Sequence, residues 1–296
     1  MAKTSIKRGD KKSRGGQKTE RPQRAGRPSR RPTALGRDTR ETKRYDAPPI
    51  EAQEPLIIGR HPVLEALRAG RAITRIWVQT GLLEGSLREI VGLARDAHIA
   101  VNTVPKVLLD RMAETVPHQG VIAQAALKPV LSLDDLEALI RGVSNPLIYV
   151  LDGIQDPQNL GAILRVADAT GAAAVVIPER GAVGLTAAVG KASAGAIEYV
   201  PVVRVTNLSA ALQKIKSWGV FVYAADPAAE RLYTAVDWRG AVAVLIGAEG
   251  RGIRPLVKSR ADDVVRLPMF GHVNSLNAAT AAAVLGFEVV RQRSQS

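Results

Sequence analysis

Polar side chains follow three apolar runs in the C-terminal half of the chain. Asn159 and Arg165 come after LIYVLD, Glu249 comes after AVAVLIG, and the stretch Asn274–Asn277 comes after VVRLP. An open α/β sheet binds its ligands beyond the carboxyl ends of the strands. If these runs are strands of one such sheet, the amide, guanidinium, carboxylate and hydroxyl groups can meet at one edge, where they can bind a ligand or assist proton transfer.

The first of these groups also has an ordinary structural explanation. In DPQNLGAILRVADATG, Asp156 suits a helix N-cap and Pro157 suits the first helical position. Asn159 can then assist the cap, and Arg165 can be a solvated residue near Asp168. For either residue alone, the structural explanation is the better one.

The other two groups are explained less easily by local structure. Glu249 can be an exposed residue of a tight turn, since the run Gly247–Gly252 reads G-x-x-G-x-G and not the G-x-G-x-x-G of a dinucleotide-binding turn. Its glycines also allow a ligand to approach the backbone closely. Asn274 or Ser275 can cap the final helix, but capping accounts for one or two polar residues of NSLN and not for three.

Several kinds of site are excluded or disfavoured by composition. The chain has 296 residues and no Cys, so it has no disulfide and no thiolate metal site, and its four His are isolated. The Walker-like stretch 184–191 has one residue too many and lacks the following Ser or Thr. No apolar run approaches the ~18 residues of a membrane span, and the basic N-terminal stretch has no apolar segment behind it, so we do not expect a secretory signal. We therefore expect a cytoplasmic protein without metal.

Most of the excess positive charge lies in an N-terminal tail. The net charge is +13, of which residues 1–44 supply +12, with 16 Lys and Arg against 4 Asp and Glu. A segment so poor in apolar residues cannot bury enough surface to fold, so we expect disorder over 1–54. A flexible polycation favours an anionic partner, with RNA or DNA ranked above a membrane surface or a role in solubility.

Two α/β regions follow the tail. Helix and strand patterns alternate from LIIGRHPVLEAL to GVIAQAAL and predict a small α/β domain over 55–129. A linker over 130–146 contains a short helix, because Ser132 and Asp135 fit a capping box.

The region 147–296 predicts a parallel sheet buried on both faces. Its strand-like runs LIYVLD, AAVVIP, EYVPVV, VFVYAA, AVAVLIG and VVRLP are continuously apolar. Helices are expected at 157–169, 207–217 and 274–291. A stripe formed by Leu276, Ala279, Ala283, Phe287 and Val290 should face the core in the last of them.

The amino-acid sequences and the order of the three polar segments resemble those of a known family. DPQNLGAILRVADATGA, IGAEGRG and LPMFGHVNSLNAATAAAVLGFE are similar to the three motifs of the SpoU-type RNA 2′-O-ribose methyltransferases, a branch of the SPOUT superfamily. IIGRHPVLEAL and HQGVIA resemble the ribosomal-protein-like RNA-binding domain that precedes the catalytic domain in many members. The likeness is greatest to the branch that methylates a guanosine of 23S ribosomal RNA, and the tail lies outside it.

The resemblance implies a homodimeric enzyme that transfers a methyl group from S-adenosylmethionine to a ribose 2′-hydroxyl. It also implies that the C-terminal chain threads a trefoil knot, a feature too rare for any sequence pattern to predict. The implied catalytic residues are Asn159, Arg165, Glu249, Ser275 and Asn277. The implied cofactor-binding residues are Gly247, Leu267, Met269 and Leu276.

The resemblance and the chemistry leave some roles open. The family assigns activation of the hydroxyl to Arg165, but a guanidinium stays protonated, so we expect it to bind phosphate and stabilise the developing alkoxide. Glu249 is the more natural proton acceptor. Two other functions remain as alternatives: the same reaction on transfer RNA, and an RNA-binding ribosome-assembly factor without transferase activity, which need not bind S-adenosylmethionine.

Overall fold

The computed structural model describes residues 55–126 and 128–295. The expected disordered basic tail, 1–54, lies outside the described residues. Within the described ranges, no helix is long and apolar enough to cross a bilayer.

A four-stranded sheet in the order β1-β4-β2-β3 forms the first region. Strands β2 and β3 are parallel, and β4 runs antiparallel to both β1 and β2. The apolar residues of α1 and α2 cover one face of this sheet, and those of α3 cover the other. The elements are β1 (Leu56–Ile58), α1 (Arg60–Arg68), β2 (Ile73–Gln79), α2 (Ser86–Asp96), β3 (Ala100–Val104), α3 (Lys106–Ala113) and β4 (Val121–Ala125).

The expected linker contains helix α4 (Leu133–Ile140), which opens with the predicted capping box. The Ser132 side chain accepts from the Asp135 amide, and the Asp135 carboxylate accepts from the Ser132 amide. Leu136 and Ile140 are buried in the core of the second sheet, and Leu131 pairs with Val203 at its edge. This connection is therefore packed against the second sheet.

The second sheet has seven parallel strands in the order β7-β6-β5-β10-β8-β11-β9. Helices α5, α6 and α9 pack on one face, and α4, α7 and α8 pack on the other. The prediction of a parallel sheet is confirmed, and the strands β5 and β6 are buried throughout as expected, whereas β11 is mostly half-buried. The elements are β5 (Leu147–Asp152), α5 (Pro157–Ala169), β6 (Ala174–Pro178), α6 (Ala187–Ala192), β7 (Val202–Val205), α7 (Leu208–Ser217), β8 (Phe221–Ala225), β9 (Arg231–Leu232), β10 (Val242–Gly247), α8 (Pro255–Lys258), β11 (Asp263–Arg266) and α9 (Ala278–Arg293).

The run EYVPVV is a strand only in its last part. Glu198 ends a short 3-10 helix, and β7 begins at Val202. Contacts with the first region account for the difference, because Glu198 pairs with Arg71 at 2.6 Å and the Tyr199 hydroxyl donates to Glu65. These bonds turn the two residues away from the direction of a strand.

The predicted start and apolar stripe of the last helix are wrong. Helix α9 begins at Ala278, four residues later than expected, because the extended backbone of Asn277 ends the preceding loop. Phe287 is 50% exposed and Val290 is 37% exposed. Of the predicted stripe only Ala279 is buried, and α9 buries it together with Ala278, Ala282, Leu285, Gly286, Glu288 and Val289. The helix is apolar on two sides, so its periodicity did not identify the side that faces the sheet.

Candidate active site

Three of the predicted site residues meet at the carboxyl edge of the second sheet. Strands β5 and β10 are neighbours, with Asp152 paired in register with Gly247. The loops that leave these two strands therefore start side by side. One leads to α5, which carries Asn159 in its first turn, and the other contains Glu249. The third residue, Asn277, is the N-cap of α9.

The three side chains form one hydrogen-bonded cluster. Asn277 Nδ2 donates to Asn159 Oδ1 at 2.7 Å and to Glu249 Oε1 at 2.5 Å. Asn159 Nδ2 donates to the same Glu249 oxygen at 3.2 Å. Asn159 is 7% exposed, whereas Glu249 is open to solvent. Two amides thus fix Oε1 of the carboxylate, and within the described chain Oε2 accepts no hydrogen bond.

Asn277 also caps α9 with its other side-chain atom. Its Oδ1 accepts from the backbone amides of Ala279 at 2.9 Å and Thr280 at 3.2 Å. The helix cap is thus Asn277, and neither Asn274 nor Ser275 has that function. Because capping occupies the oxygen, the amide nitrogen of Asn277 is directed at the cluster.

A cavity of about 450 Å³ opens beside the cluster, within the usual range for a small-molecule site. It lies between the Gly247–Gly252 loop and the segment that joins β11 to α9. All four residues expected to bind a cofactor line it: Gly247, Leu267, Met269 and Leu276. Glu249 and Ser275 line it as well, so the cavity and the cluster share a wall.

The loop after β10 is tight because Gly247 has no side chain. A Cβ at Gly247 would lie 2.1 Å from the backbone carbon of Gly252. Gly250 and Gly252 have φ values of +75° and +64°, which favour glycine. These glycines therefore allow the loop to fold back on itself, in addition to any contact they make with a ligand.

Asp152, the last residue of β5, anchors the chain just after this loop. The sequence reasoning missed this residue. Its side chain is 1% exposed and accepts from the backbone amide of Arg254 and from its Nε, both at 2.8 Å. Bidentate bonds of this kind are strong and directional. The sequence signal was an acidic residue at the end of a buried strand.

Asp226 and Lys258 are two further cavity residues that the sequence reasoning missed. They form an ion pair at 2.6 Å on the cavity wall. Hydrogen bonding from Lys258, with a smaller contribution from the Ala228 amide, holds the pKa of Asp226 below its usual value despite partial burial. Asp226 directly follows β8, so its place at a strand end was a usable signal.

The structure does not bring Arg165 into the cluster of its own chain. Arg165 is exposed on α5, does not line the cavity and has no hydrogen-bond or ion-pair partner among residues 55–126 and 128–295. Ser275 is exposed at the cavity wall and likewise accepts and donates no hydrogen bond within the described chain. No cluster of three or more possible metal ligands occurs in this part of the chain.

Comparison with known proteins identifies the family. Residues 146–287 match the SpoU rRNA methylase family, and residues 56–130 match the family model of RNA 2′-O ribose methyltransferase substrate binding. A protein named as a TrmH family tRNA/rRNA methyltransferase of Bacillus subtilis is 42% identical over 242 residues, which are 81% of this chain and 97% of that protein. The chain belongs to the SpoU rRNA methylase family.

Further relatives and solved structures agree with this assignment. A TrmH family relative from Staphylococcus haemolyticus is 41% identical, with 82% of this chain and 98% of the relative covered. The crystal structure of an RNA 2′-O ribose methyltransferase aligns with a TM-score of 0.69 at 30% identity, covering 82% of this chain and 90% of that one. The SpoU methyltransferase AviRb of Streptomyces viridochromogenes aligns with a TM-score of 0.71 at 25% identity, covering 83% and 91%. The prediction of a SpoU-family RNA 2′-O-ribose methyltransferase is confirmed.

Proposed function

We propose that this chain transfers the methyl group of S-adenosylmethionine to the 2′-hydroxyl of a guanosine in large-subunit ribosomal RNA. The observation that carries the proposal is the shared wall between the cavity and the Asn159–Glu249–Asn277 cluster. A cofactor in the cavity and a ribose at the cluster are then neighbours. Placing two reactants side by side supplies much of the catalysis in a displacement reaction.

The cavity suits S-adenosylmethionine in its chemistry. Leu267, Met269 and Leu276 provide apolar surfaces for an adenine ring, and the backbone of the Gly247–Gly252 loop provides polar groups for its edge. The carboxylate of Asp226 can accept from ribose hydroxyls. When bound, the cofactor supplies an electrophilic methyl group on a sulfonium, and no metal is needed for its transfer.

Glu249 is the proton acceptor in this proposal. A ribose hydroxyl is weakly acidic, so its attack on a methyl group is assisted by a nearby base. Asn159 and Asn277 hold one carboxylate oxygen in place, which leaves the other oxygen to accept the proton. Ser275 lies on the same wall and orients the ribose. Arg165 lies outside the cluster of its own chain, exposed and unpaired in the described residues, and its proposed role is to bind a phosphate of the substrate RNA.

We also propose that the active form is a homodimer joined through the outer side of α9. Phe287 and Val290 are exposed on this helix, and an exposed apolar patch often marks a subunit interface. Phe287→Glu should convert the dimer to a monomer in sedimentation measurements. Phe221→Glu is the matched control, because Phe221 is 43% exposed at the start of β8. Equal effects of both substitutions, or no effect of Phe287→Glu, would refute this interface.

Further features of the proposal have other grounds. A trefoil knot in the C-terminal chain rests on the family resemblance, whereas a cytoplasmic location and the domain division 1–54, 55–129, 130–146 and 147–296 rest on composition and sequence pattern. Family membership also supports transfer RNA as a second candidate substrate, because the relatives are named for both RNAs. Incubating the protein with labelled cofactor and each RNA separately tests the choice. Label in transfer RNA alone would reject the ribosomal substrate.

A further inference from the structure

A groove of about 640 Å³ lies on the first region, away from the cluster that carries the proposed chemistry. It is at the carboxyl ends of the parallel strands β2 and β3, the edge at which open α/β sheets bind ligands. Arg60, Gln79, Lys106 and Gln119 line it together with Asp110 and His118. Hydrogen-bond donors of two kinds, cationic and amide, therefore converge on one groove.

The loop 117–120, HQG preceded by Pro117, is held rigidly at the rim of this groove. Gln119 has a φ of +53°, which is unusual for a residue with a side chain, and the structure around it must maintain that conformation. The Gln119 side-chain oxygen accepts from the Arg60 amide at 3.1 Å, and its carbonyl accepts from Arg60 Nε at 2.9 Å. His118 Nδ1 accepts from the Gly120 amide at 3.0 Å. A loop with this many internal bonds is preorganised for binding.

The charge within the groove is partly compensated. His118 donates from Nε2 to Asp110 at 3.0 Å, since its Nδ1 is already an acceptor, and Lys106 pairs with Asp110 at 2.7 Å. Lys106, followed by His118, holds the pKa of the Asp110 carboxyl below its usual value. Arg60 uses Nε for Gln119 and keeps its terminal nitrogens for a ligand. The side-chain amide of Gln79 has no protein partner in the described ranges.

We propose that this groove binds an unpaired nucleotide of the substrate RNA that is distinct from the methylated one. Arg60 and Lys106 contact its phosphate, and the amides of Gln79 and Gln119 contact the edge of its base. Unpaired bases are the parts of RNA that proteins read through hydrogen bonds to base edges. Amide groups suit such edges, and arginine and lysine suit phosphates. This inference rests on the proposed RNA substrate and identifies how that substrate is held.

The groove is linked to the region that carries the active site. Lys191 of α6 donates its ammonium to the carbonyl of Pro117, next to the HQG loop. Helix α6 also packs against α5, the helix that contains Asn159. These contacts connect the groove to the active-site region, so a nucleotide bound in the groove helps to select the nucleotide that is methylated.

Three substitutions test the groove: Lys106→Gln, Arg60→Gln and Gln79→Ala. Loss of a hydrogen bond from a charged group should weaken RNA binding by about tenfold in the first two variants. Binding can also be plotted as the logarithm of the RNA binding constant against the logarithm of the salt concentration. Lys106→Gln should reduce the magnitude of this slope by about 0.7, the value for one phosphate contact to a single strand. Gln79→Ala should weaken binding without changing that slope. The affinity for S-adenosylmethionine should stay the same in all three.

Arg95→Gln is the matched control, because it removes one positive charge from an exposed residue of α2, near the opposite end of the sheet. It should change RNA affinity less than twofold. Thermal melting of each variant identifies any that unfold; Lys106 is exposed and pairs only with Asp110 in the described chain, so its variant should melt like the wild type. RNA affinity equal to that of the control in Lys106→Gln and Gln79→Ala would overturn the proposal. If the wild type binds RNA but does not methylate it, the proposed function is rejected. Weaker RNA binding by the groove variants than by the control would still support the groove in that case.

Discussion

Asn277 caps α9 through its side-chain oxygen and holds the cluster through its amide nitrogen, and substitution can separate these two roles. Asn277→Ala removes the cap of α9, which costs about 1 kcal/mol. It also leaves the Oδ1 of Asn159, a residue 7% exposed, without its donor, and an unsatisfied buried acceptor costs about 1–3 kcal/mol. The bond to Glu249 adds little, because that carboxylate is exposed. The free energy of unfolding should fall by roughly 2–4 kcal/mol in total.

Asn277→Ser keeps an oxygen that can cap the helix but has no amide to donate to the cluster. We expect it to recover about 1 kcal/mol of the loss in urea denaturation, while methyl transfer stays as low as in Asn277→Ala. Asn207→Ala is the control, because Asn207 caps α7 by accepting from the Ala210 amide and does not line the cavity. It should lose about 1 kcal/mol and keep its activity. Near-normal transfer by Asn277→Ser would refute the role of the amide, and equal stability of the Ala and Ser variants would refute the cap.

Three further predictions concern the loop anchor, the packing of α9 and the basic tail. Asp152→Asn should weaken S-adenosylmethionine binding by about tenfold in calorimetry and leave RNA binding unchanged, because it loosens the cavity loop. Gly286→Ala should lower the free energy of unfolding by about 1–3 kcal/mol, since its Cβ would lie 1.8 Å from the Tyr149 hydroxyl, whereas Gly92→Ala, with open space around it, should not destabilise the protein. Deletion of 1–44, which carries a net +12, should weaken RNA binding and flatten its salt dependence without moving the methylated nucleotide.

Each of these predictions has a contradicting result. Unchanged cofactor affinity in Asp152→Asn would mean that the loop holds its shape without the anchor. Equal stability of the Gly286 and Gly92 variants would mean that α9 can move away from Tyr149 at no cost. An unchanged salt slope after deletion would mean that the tail does not bind phosphates, and methylation at a new nucleotide would mean that the tail selects the site.

The fold was predictable where one physical effect dominates. Strand β5 is buried on both faces, so its continuous apolar run was sufficient to indicate a parallel strand. Helix α5 begins with Asp156 and Pro157 at the predicted cap and first position. The buried side of helix α9 was harder to predict, because the helix has apolar residues on the side that packs on the sheet and also on the exposed side, at Phe287. Only the packing in three dimensions decides which side is buried.

The motif residues of the candidate site were predictable from the sequence, whereas the residues that hold the cavity loop and wall in place were not. Asn159, Glu249 and Asn277 stood out as polar residues at strand ends and helix starts, the family resemblance assigned them to the site, and the structure brings them together. Asp152 and Asp226 were missed, since each is a single acidic residue at a strand end with no motif around it. Their partners, Arg254 and Lys258, come from distant parts of the sequence and are found only in three dimensions.

The most direct test of the account is the position of the transferred methyl group. Wild-type protein, labelled S-adenosylmethionine and protein-free large-subunit RNA are incubated with a chelator, and the labelled nucleotide is isolated by nuclease digestion. We predict label on the 2′-oxygen of a guanosine, undiminished by the chelator and lost in Glu249→Gln. Label on a base, or transfer by Glu249→Gln at the wild-type rate, would contradict the central claim that this cluster activates a ribose hydroxyl.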